Sequence, residues 1–322
     1  MSTLPLIIVN PASAGGVTGD VWPGVASDVR SHFGPFEVAF TRRGGEASEI
    51  AERESRAGRG LVVACGGDGT ISEVADGILR SGGGAELGVL PSGTGGDFRR
   101  TLGLPARAAD AARHLRAGRT RLMDAGRVTY TDNTTVAAGA GGAPTEKTRH
   151  FVNVASFGMG GDVIKRVKSR AGLPAGAARL LGGRLSFAAA ALQATLAFEK
   201  PEVRVSLDGG PPARLTVTNF CVANARYFGG GMKIAPTAQV DDGLFDVVSV
   251  GDMGALSILA NSYRVYFGTH LGLQDVRHAR ARRVRAEPAS DSAVRLELDG
   301  ELVGRLPALF EILPGALRVR CP

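Results

Sequence analysis

Apolar and polar positions alternate in blocks through the first third of the chain. Leu6–Val9 is a short apolar run that ends in Asn10-Pro11 and a loop of small residues. Val21–Phe33 has helical periodicity, Phe36–Phe40 reads as a strand, and Ala47–Arg56 is again helical. Gly60–Ala64 is a β-branched buried strand, Ile71–Arg80 a helix, and Leu87–Leu90 a strand closed by Pro91. Short apolar runs bounded by turns and separated by helices predict a parallel sheet. The pattern changes near Asp124. From there it predicts strands at Ala125–Tyr130, Phe151–Phe157, Glu202–Leu207, Leu215–Ala223, Leu244–Val250, Ala281–Glu287, Val294–Leu298 and Ala316–Val319, many joined by Gly, Pro or Asp turns. Asn133–Arg149, rich in Gly, Ala and Thr, reads as a flexible hairpin tip. Helical segments interrupt the strands at Gly161–Glu199, broken near Gly172–Gly176, and at Met253–Phe267. The expectation is an α/β domain with a parallel sheet over 1–123 and a mostly antiparallel β-sandwich with inserted helices over 124–322. The last strand, about 308–322, is a candidate to return to the first domain. No internal repeat is visible.

A chain of 322 residues suits two domains better than one core. With 44% hydrophobic and 21% charged residues it is globular in composition. The net charge of +7 points to an acidic partner such as a nucleotide, nucleic acid or anionic lipid, although a GC-rich genome yields the same Arg-, Ala- and Gly-rich balance. Cys65, Cys221 and Cys321 show no metal-ligand spacing, so a reduced, cytoplasmic protein is expected. Leu4–Val9 is too short for a signal core, and the apolar stretch Phe187–Phe198 falls short of the ~20 residues a membrane span needs. Any contact with a membrane is therefore expected to be peripheral.

Three glycine-rich loops follow predicted strands, and ligands of open α/β sheets bind beyond the carboxyl ends of the strands. The first is Asn10-Pro11-Ala12-Ser13-Ala14-Gly15-Gly16, whose small residues let backbone N–H groups approach an anion. The second is Cys65-Gly66-Gly67-Asp68-Gly69-Thr70, followed by a helix from Ile71. Thr70 is placed to cap that helix, with Glu73 three residues on in a capping-box pattern. The helix N-terminus offers partial positive charge to phosphate. Asp68 is itself an anion, so inside a phosphate cradle it suits a metal ion or the acceptor hydroxyl. The third, Pro91-Ser92-Gly93-Thr94-Gly95-Gly96-Asp97-Phe98, repeats glycines, hydroxyl and carboxylate. No lysine precedes Lys147, which excludes the P-loop pattern and a strand lysine of the protein-kinase type. A triphosphate here would have to be met by backbone N–H groups, arginine and a divalent metal.

These motifs resemble the diacylglycerol kinase catalytic-domain family, which includes bacterial lipid kinases and sphingosine kinases. The resemblance rests on Ile7-Ile8-Val9-Asn10-Pro11-Ala12-Ser13-Ala14-Gly15, on Gly66 through Val74, and on Leu90 through Arg100. It continues in Phe151 through Gly158, in Gly229-Gly230-Gly231-Met232 with Ala235-Pro236, in Asp241 through Val247, and in Leu298-Asp299-Gly300-Glu301. It implies a two-domain ATP-dependent lipid kinase with Mg-ATP in the cleft. Asn10, Thr41, the loop Gly66, Gly67, Asp68, Gly69, Thr70, Ile71 and Ser72, and Thr94 would contact the nucleotide. Glu73, Gly93 and Asp97 complete the nucleotide-side candidates. Glu301 would accept the proton of the lipid hydroxyl, Asp68 would act near the phosphates, and a second, structural magnesium would be held around Asp242 and the backbone of Leu244. The implied partners are ATP and a lipid at an anionic membrane surface. Nucleic acid is not expected, since aromatics are only 6% and no module signature occurs; a homodimer is left open.

The chain departs from the family pattern in having Gly96 where Asn is usual, Ser72 where Asn is frequent, and Gln239 where some bacterial members offer a carboxylate. Lys165, Arg166, Lys168 and Arg170 precede the apolar stretch from Leu185 to Phe198, a combination suited to an anionic membrane surface. The five histidines receive no role. Arg277, Arg280, Arg282, Arg283 and Arg285 read as a solvated strand face. Two alternatives stay open: a kinase of a soluble nucleotide, as in NAD kinases, and a nucleotide- or lipid-binding regulator without turnover.

Overall fold

The structure, a computed structural model, describes residues 4–92, 95–132, 145–159, 198–290 and 292–321. The N-terminal half is an α/β domain. Its strands are β1 (Leu6–Val9), β2 (Glu37–Phe40), β3 (Leu61–Gly66) and β4 (Glu86–Pro91), and its helices are α1 (Val17–His32), α2 (Glu46–Arg56), α3 (Asp68–Arg80), α4 (Asp97–Leu102) and α5 (Ala108–Ala117). The strands lie parallel in the order β4-β3-β1-β2. Leu6, Ile8, Val62, Ala64, Leu87 and Val89 face α2 and α3, while Ile7, Val9, Leu61, Val63, Cys65 and Leu90 face α1 and α5. Burial on both faces explains why these strands are continuous apolar runs rather than alternating ones.

The remaining strands pair antiparallel with one another: β5 (Arg119–Asp132), β6 (Thr145–Phe151), β7 (Val154–Gly158), β8 (Glu202–Leu207), β9 (Ala213–Thr216), β10 (Asn219–Ala223), β11 (Phe245–Val250), β12 (Val276–Ala281), β13 (Arg283–Pro288), β14 (Arg295–Leu298) and β15 (Glu301–Cys321), with helix α6 (Ala255–Phe267) after β11. They form a sandwich around Phe151, Phe157, Phe220, Phe245 and Phe310. Phe157 and Phe220 stack at 4.8 Å, and Phe151 stacks on Phe245 at 5.7 Å.

β15 joins the two halves. Its first part pairs with β14, β13 and β5, and its last part pairs in parallel with β4 through Arg318 and Val319. The change of pattern near Asp124 falls inside β5, which runs unbroken from Arg119. The Asp124 carboxylate accepts N–H bonds from Gly243 and Gly315, both 2.7 Å.

Several expected elements differ in detail. The predicted hairpin tip Asn133–Arg149 contributes residues 145–149 to β6, paired along β5; 133–144 lie outside the described residues. Phe151–Phe157 is broken at Val152-Asn153, Leu215–Ala223 at Val217-Thr218, and Ala281–Glu287 at Arg282, because at each point the chain changes partners: β6 pairs with β5 but β7 with β10 and β14, β9 with β8 but β10 with β7 and β11, and β12 with β11 but β13 with β8 and β15. The helical segment expected at Gly161–Glu199, with Lys165, Arg166, Lys168 and Arg170, lies almost wholly outside the described residues.

Candidate active site at the carboxyl edge of the parallel sheet

The register aligns Val9 with Phe40 and Cys65, and Gly66 with Pro91. The ladder continues one residue further through Asn10 N–H to Cys65 O (3.0 Å), Thr41 N–H to Val9 O (2.9 Å) and Ser92 N–H to Gly66 O (3.0 Å). Asn10, Thr41, Gly67 and Ser92 therefore leave the sheet at one edge, where the first and second loops meet.

Asn10 organises that meeting. Its amide Nδ2 donates to Thr70 Oγ1 at 3.1 Å, while its Oδ1 accepts from Ala12 N–H at 3.1 Å. Ser13 Oγ lies 3.3 Å from Thr70 Oγ1. A methyl on Gly66 would stand 2.5 Å from Thr70 Oγ1, so glycine is required there for the loops to close. Thr70 is not the helix cap that local sequence suggests. Helix α3 starts three residues earlier than predicted, with Gly67 as N-cap and Asp68 in the first turn, and the Thr70 hydroxyl faces the first loop. Nor does Glu73 close a capping box. Its carboxylate accepts from Gly45 N–H (2.9 Å) and Ala47 N–H (3.2 Å), capping the neighbouring α2. Ile71 is buried in the core below.

Asp68 turns toward the third loop and caps α4. Its two oxygens accept from Asp97 N–H at 3.1 Å and Phe98 N–H at 3.0 Å. The Asp97 carboxylate reaches the other half of the molecule, accepting from Gly230 N–H at 2.8 Å and from Arg100 Nη1 at 3.1 Å. Burial raises the Asp97 pKa, and the nearby Asp68 charge adds to it against the opposing pull of the Gly230 and Gly231 N–H groups. Gly96 sits at φ 66°, a left-handed conformation that glycine and asparagine adopt most readily, so glycine in place of the family's usual asparagine keeps the backbone and removes only the side-chain amide. Gly93 and Thr94 lie outside the described residues.

Glu301 approaches the same place from the antiparallel half. Asp299 and Gly300 take positive φ of 49° and 87°, forming a two-residue turn between β14 and β15. The turn is anchored by the half-buried Asp299, whose carboxylate accepts N–H bonds from Val152 (3.0 Å), Asn153 (2.9 Å) and Val154 (3.0 Å). Burial raises the Asp299 pKa; those three bonds and the nearby Ser72 hydroxyl oppose it. Glu301 then leans over the first turn of α3, its Oε1 3.1 Å from where a Gly69 side chain would begin. Its Oε2 lies 3.5 Å from Arg149 Nη2. Loss of solvent raises the Glu301 pKa, Arg149 opposes this, and the charges of Glu73 and Asp299 add to the rise. A carboxylate with a raised pKa beside a helix N-terminus is suited to take a proton from a hydroxyl.

Comparison with known proteins matches both halves of the chain. Residues 5–128 match the family model described as the diacylglycerol kinase catalytic domain, and residues 161–321 match the YegS C-terminal NAD kinase beta sandwich-like domain. A Pseudomonas aeruginosa protein named "Probable lipid kinase YegS-like" is 31% identical over 88% of this chain and 84% of its own. This chain belongs to the diacylglycerol kinase family. A diacylglycerol kinase of Bacillus subtilis is 27% identical over 86% of this chain and 83% of its own. The fold is shared with a crystal structure of a diacylglycerol kinase from Bacillus anthracis, with a TM-score of 0.69 at 20% identity, covering 99% of this chain and 97% of that one.

The kinase brings Asn10, the Gly66–Glu73 segment, Asp97 and Glu301 to one edge; Thr41 leaves the sheet there and is buried. Residues that sequence reasoning passed over are Asp299, Arg149, Asp76 and His150. Asp76 accepts from Ser48 Oγ (2.8 Å) and His150 N–H (2.9 Å), and lies 3.0 Å from His150 Nδ1. His150, given no role from sequence, thus clasps α3 to β6. The signal for Asp299 is the Asp299-Gly300 pair, a turn sequence that does not reveal the partners of its carboxylate.

Two magnesium sites were implied by the resemblance, and the residues fit only one. Asp68 and Asp97 offer hard carboxylate oxygens with spare lone pairs at the carboxyl edge of the parallel sheet, and magnesium is usually held by one or two carboxylates plus substrate phosphates. Around Asp242 the donors do not fit. Its Oδ1 accepts from Leu244 N–H (3.1 Å), and its Oδ2 pairs with the Arg280 guanidinium. The neighbouring Asp241 pairs with Arg121 (2.7 Å), and Asp246 with His278 (2.7 Å) and Thr237 (2.6 Å). Arg280 supplies the positive charge there, and Gln239 adds no carboxylate. His278 had no role and Arg280 was read as solvated; both belong to this charged network.

Proposed function

We propose that this kinase transfers the γ-phosphoryl group of ATP to the hydroxyl of a lipid, diacylglycerol or a close relative, at the surface of a membrane. The single observation that carries this reading is Glu301 held over the first turn of α3, with Arg149 beside it and Asp68 and Asp97 at the adjoining loop. Phosphoryl transfer demands positioning and charge neutralisation more than covalent chemistry. The N–H groups at the start of α3 and of the first loop bind and orient the donor's phosphates. Magnesium, when bound, offsets phosphate charge at Asp68 and Asp97. The acceptor oxygen forms a bond to the γ-phosphorus while the bond from that phosphorus to the β,γ-bridging oxygen breaks, releasing ADP. Glu301 takes the hydroxyl proton. Arg149 favours the ionised form of Glu301 that can do so. Asp299 holds the turn from which Glu301 projects. The name of the Bacillus subtilis relative supports diacylglycerol as the first acceptor to try. No helix among the described residues is long and apolar enough to cross a membrane, which is compatible with a peripheral enzyme.

The test is transfer from γ-labelled ATP to a panel of lipid hydroxyls, with NAD as a soluble control acceptor. Glu301→Gln should lower the rate by about 10²–10⁴-fold with little change in the affinity for ATP. Labelling of NAD in preference to every lipid would replace this reading with a soluble-nucleotide kinase. Undiminished transfer by the Glu301 variant would remove Glu301 as the base.

A further inference from the structure

Helix α6 has two apolar faces, and among the described residues only one of them packs on the core. Ile258 and Val265 turn inward onto the cluster of Val154, Cys221, Ala223 and Val248. On the opposite side Leu256, Leu259, Tyr263, Tyr266 and Phe267 recur at helical spacing and stay 75, 41, 54, 55 and 74% exposed. An ordinary surface helix is polar outside. This one carries large apolar side chains there, which marks an interaction surface rather than scattered exposure.

The charge around it selects the partner. From Met253 to Leu273 the chain contains no carboxylate, and Arg264 is its one Lys or Arg. A second copy would bring the same acid-free face and a like net charge of +7, whereas an anionic lipid surface offers apolar depth and complementary charge together. Tyrosine, with an apolar ring and a polar tip, is the side chain that settles at the headgroup boundary.

The position of α6 adds a second argument. Its carboxyl end is joined to the phosphoryl-transfer cleft by one short hairpin. Lys233 N–H donates to Val265 O at 2.9 Å, Phe228 and Met232 bridge, and Gly230 N–H donates to the Asp97 carboxylate at 2.8 Å. Gly231 abuts the Arg100 guanidinium, and Gly268 packs on Lys233 and Pro236. The exposed aromatic end of α6 and the third loop thus sit at opposite ends of a hairpin only a few residues long.

We propose that the outer face of α6 seats this kinase on an anionic bilayer, with Tyr263, Tyr266 and Phe267 entering the interfacial layer and Lys233 and Arg100 on the cleft side. The inference rests on the lipid-acceptor reading above. It explains how the cleft meets an acceptor that stays in the membrane: docking through α6 brings the hairpin at Gly229–Lys233, and with it Asp97, to the lipid surface.

The experiment is co-sedimentation with vesicles of phosphatidylglycerol and phosphatidylcholine, comparing wild type with Leu256→Asp/Phe267→Asp. Both positions are exposed, so the variant should fold, as checked by circular dichroism. The expected result is a loss of about tenfold or more in partition. Rates on a short-chain, water-soluble diacylglycerol should be unchanged, with a parallel loss on vesicle-embedded acceptor. Phe267→Trp should retain binding and shift its emission to the blue on adding vesicles. Equal sedimentation of wild type and the double variant, or no emission shift, overturns the proposal. A dimer that the double variant dissociates, with no vesicle binding by wild type, also overturns it and assigns the face to a second copy. Vesicle binding through α6 without phosphorylation of any lipid leaves the docking surface standing and defeats the acceptor assignment alone.

Discussion

A single methyl group added at Gly95 tests the link between Asp68 and α4. The backbone at Gly95 does not have a positive φ, so alanine is not strained there by its conformation. The space is the obstacle. The new methyl would stand 2.5 Å from Asp68 Oδ2, well inside the contact distance of a real side chain. Asp68 must swing away and release the Asp97 and Phe98 N–H groups at the start of α4. Losing a helix cap of this kind costs about 1–2 kcal/mol, since the freed carboxylate is only half-buried and regains water. Against that, Gly→Ala restricts the unfolded chain and stabilises by about 0.4–1 kcal/mol. The net expectation is a loss of roughly 1 kcal/mol in Gly95→Ala. The decisive comparison is made in an Asp68→Ala background, where nothing remains for the methyl to displace. There the same substitution should become neutral or stabilising by a few tenths of a kcal/mol up to about 1. Urea unfolding of the four proteins closes the cycle, and the kinase rate of Gly95→Ala should fall toward that of Asp68→Ala. If Gly95→Ala has the same effect on stability in both backgrounds, the methyl does not act through Asp68 and the capping argument fails.

Arg149→Gln removes the cation that favours ionised Glu301, whose pKa already lies above the ordinary carboxylate range through desolvation. The acid limb of the pH profile of kcat/KM should therefore move to higher pH, and an unmoved limb would show that Arg149 does not act on Glu301. Burial pushes the Asp76 pKa up, but the bonds from His150 and Ser48 outweigh it and leave it depressed. Its stabilising contribution is thus complete above the unfolded pKa of about 3.9 and lost as pH falls through the lower folded value. Asp76→Asn should cost about 2–4 kcal/mol near neutral pH, the cost shrinking below about pH 4; an equal cost at pH 7 and pH 3 in urea titrations would refute the clasp. Because Arg280 supplies the counter-charge at Asp242, the Tm of the nucleotide-free protein should be the same in EDTA and in millimolar magnesium. A magnesium-dependent rise in Tm that Asp242→Asn abolishes would restore the structural metal.

The alternation of apolar runs and helical periods carries most of the fold. β1 and β8 occupy the predicted residues, and the glycine loops stand at strand ends as their composition demands. Those features depend on period, turn chemistry and burial, which neighbouring residues determine. The partners of the polar side chains do not follow from neighbours. Thr70 and Glu73 have the spacing of a capping box, yet one binds Asn10 and the other caps α2, because close packing of α3 on α2 and on the first loop supplies better-placed partners than their own helix. Nothing near Asp68 in the sequence shows that it also caps α4, 29 and 30 positions on, as it does in space. Asp299 reads as a turn residue, but the corner at Val152–Val154 turns three backbone N–H groups onto it and so fixes where Glu301 points. Local pattern determined which segments would be strand, helix and loop. Only tertiary packing decided which carboxylates are buried, which cap a neighbouring helix and which one is left over the first turn of α3, since hydrogen bonds between residues tens of positions apart are chosen by the geometry that brings them together.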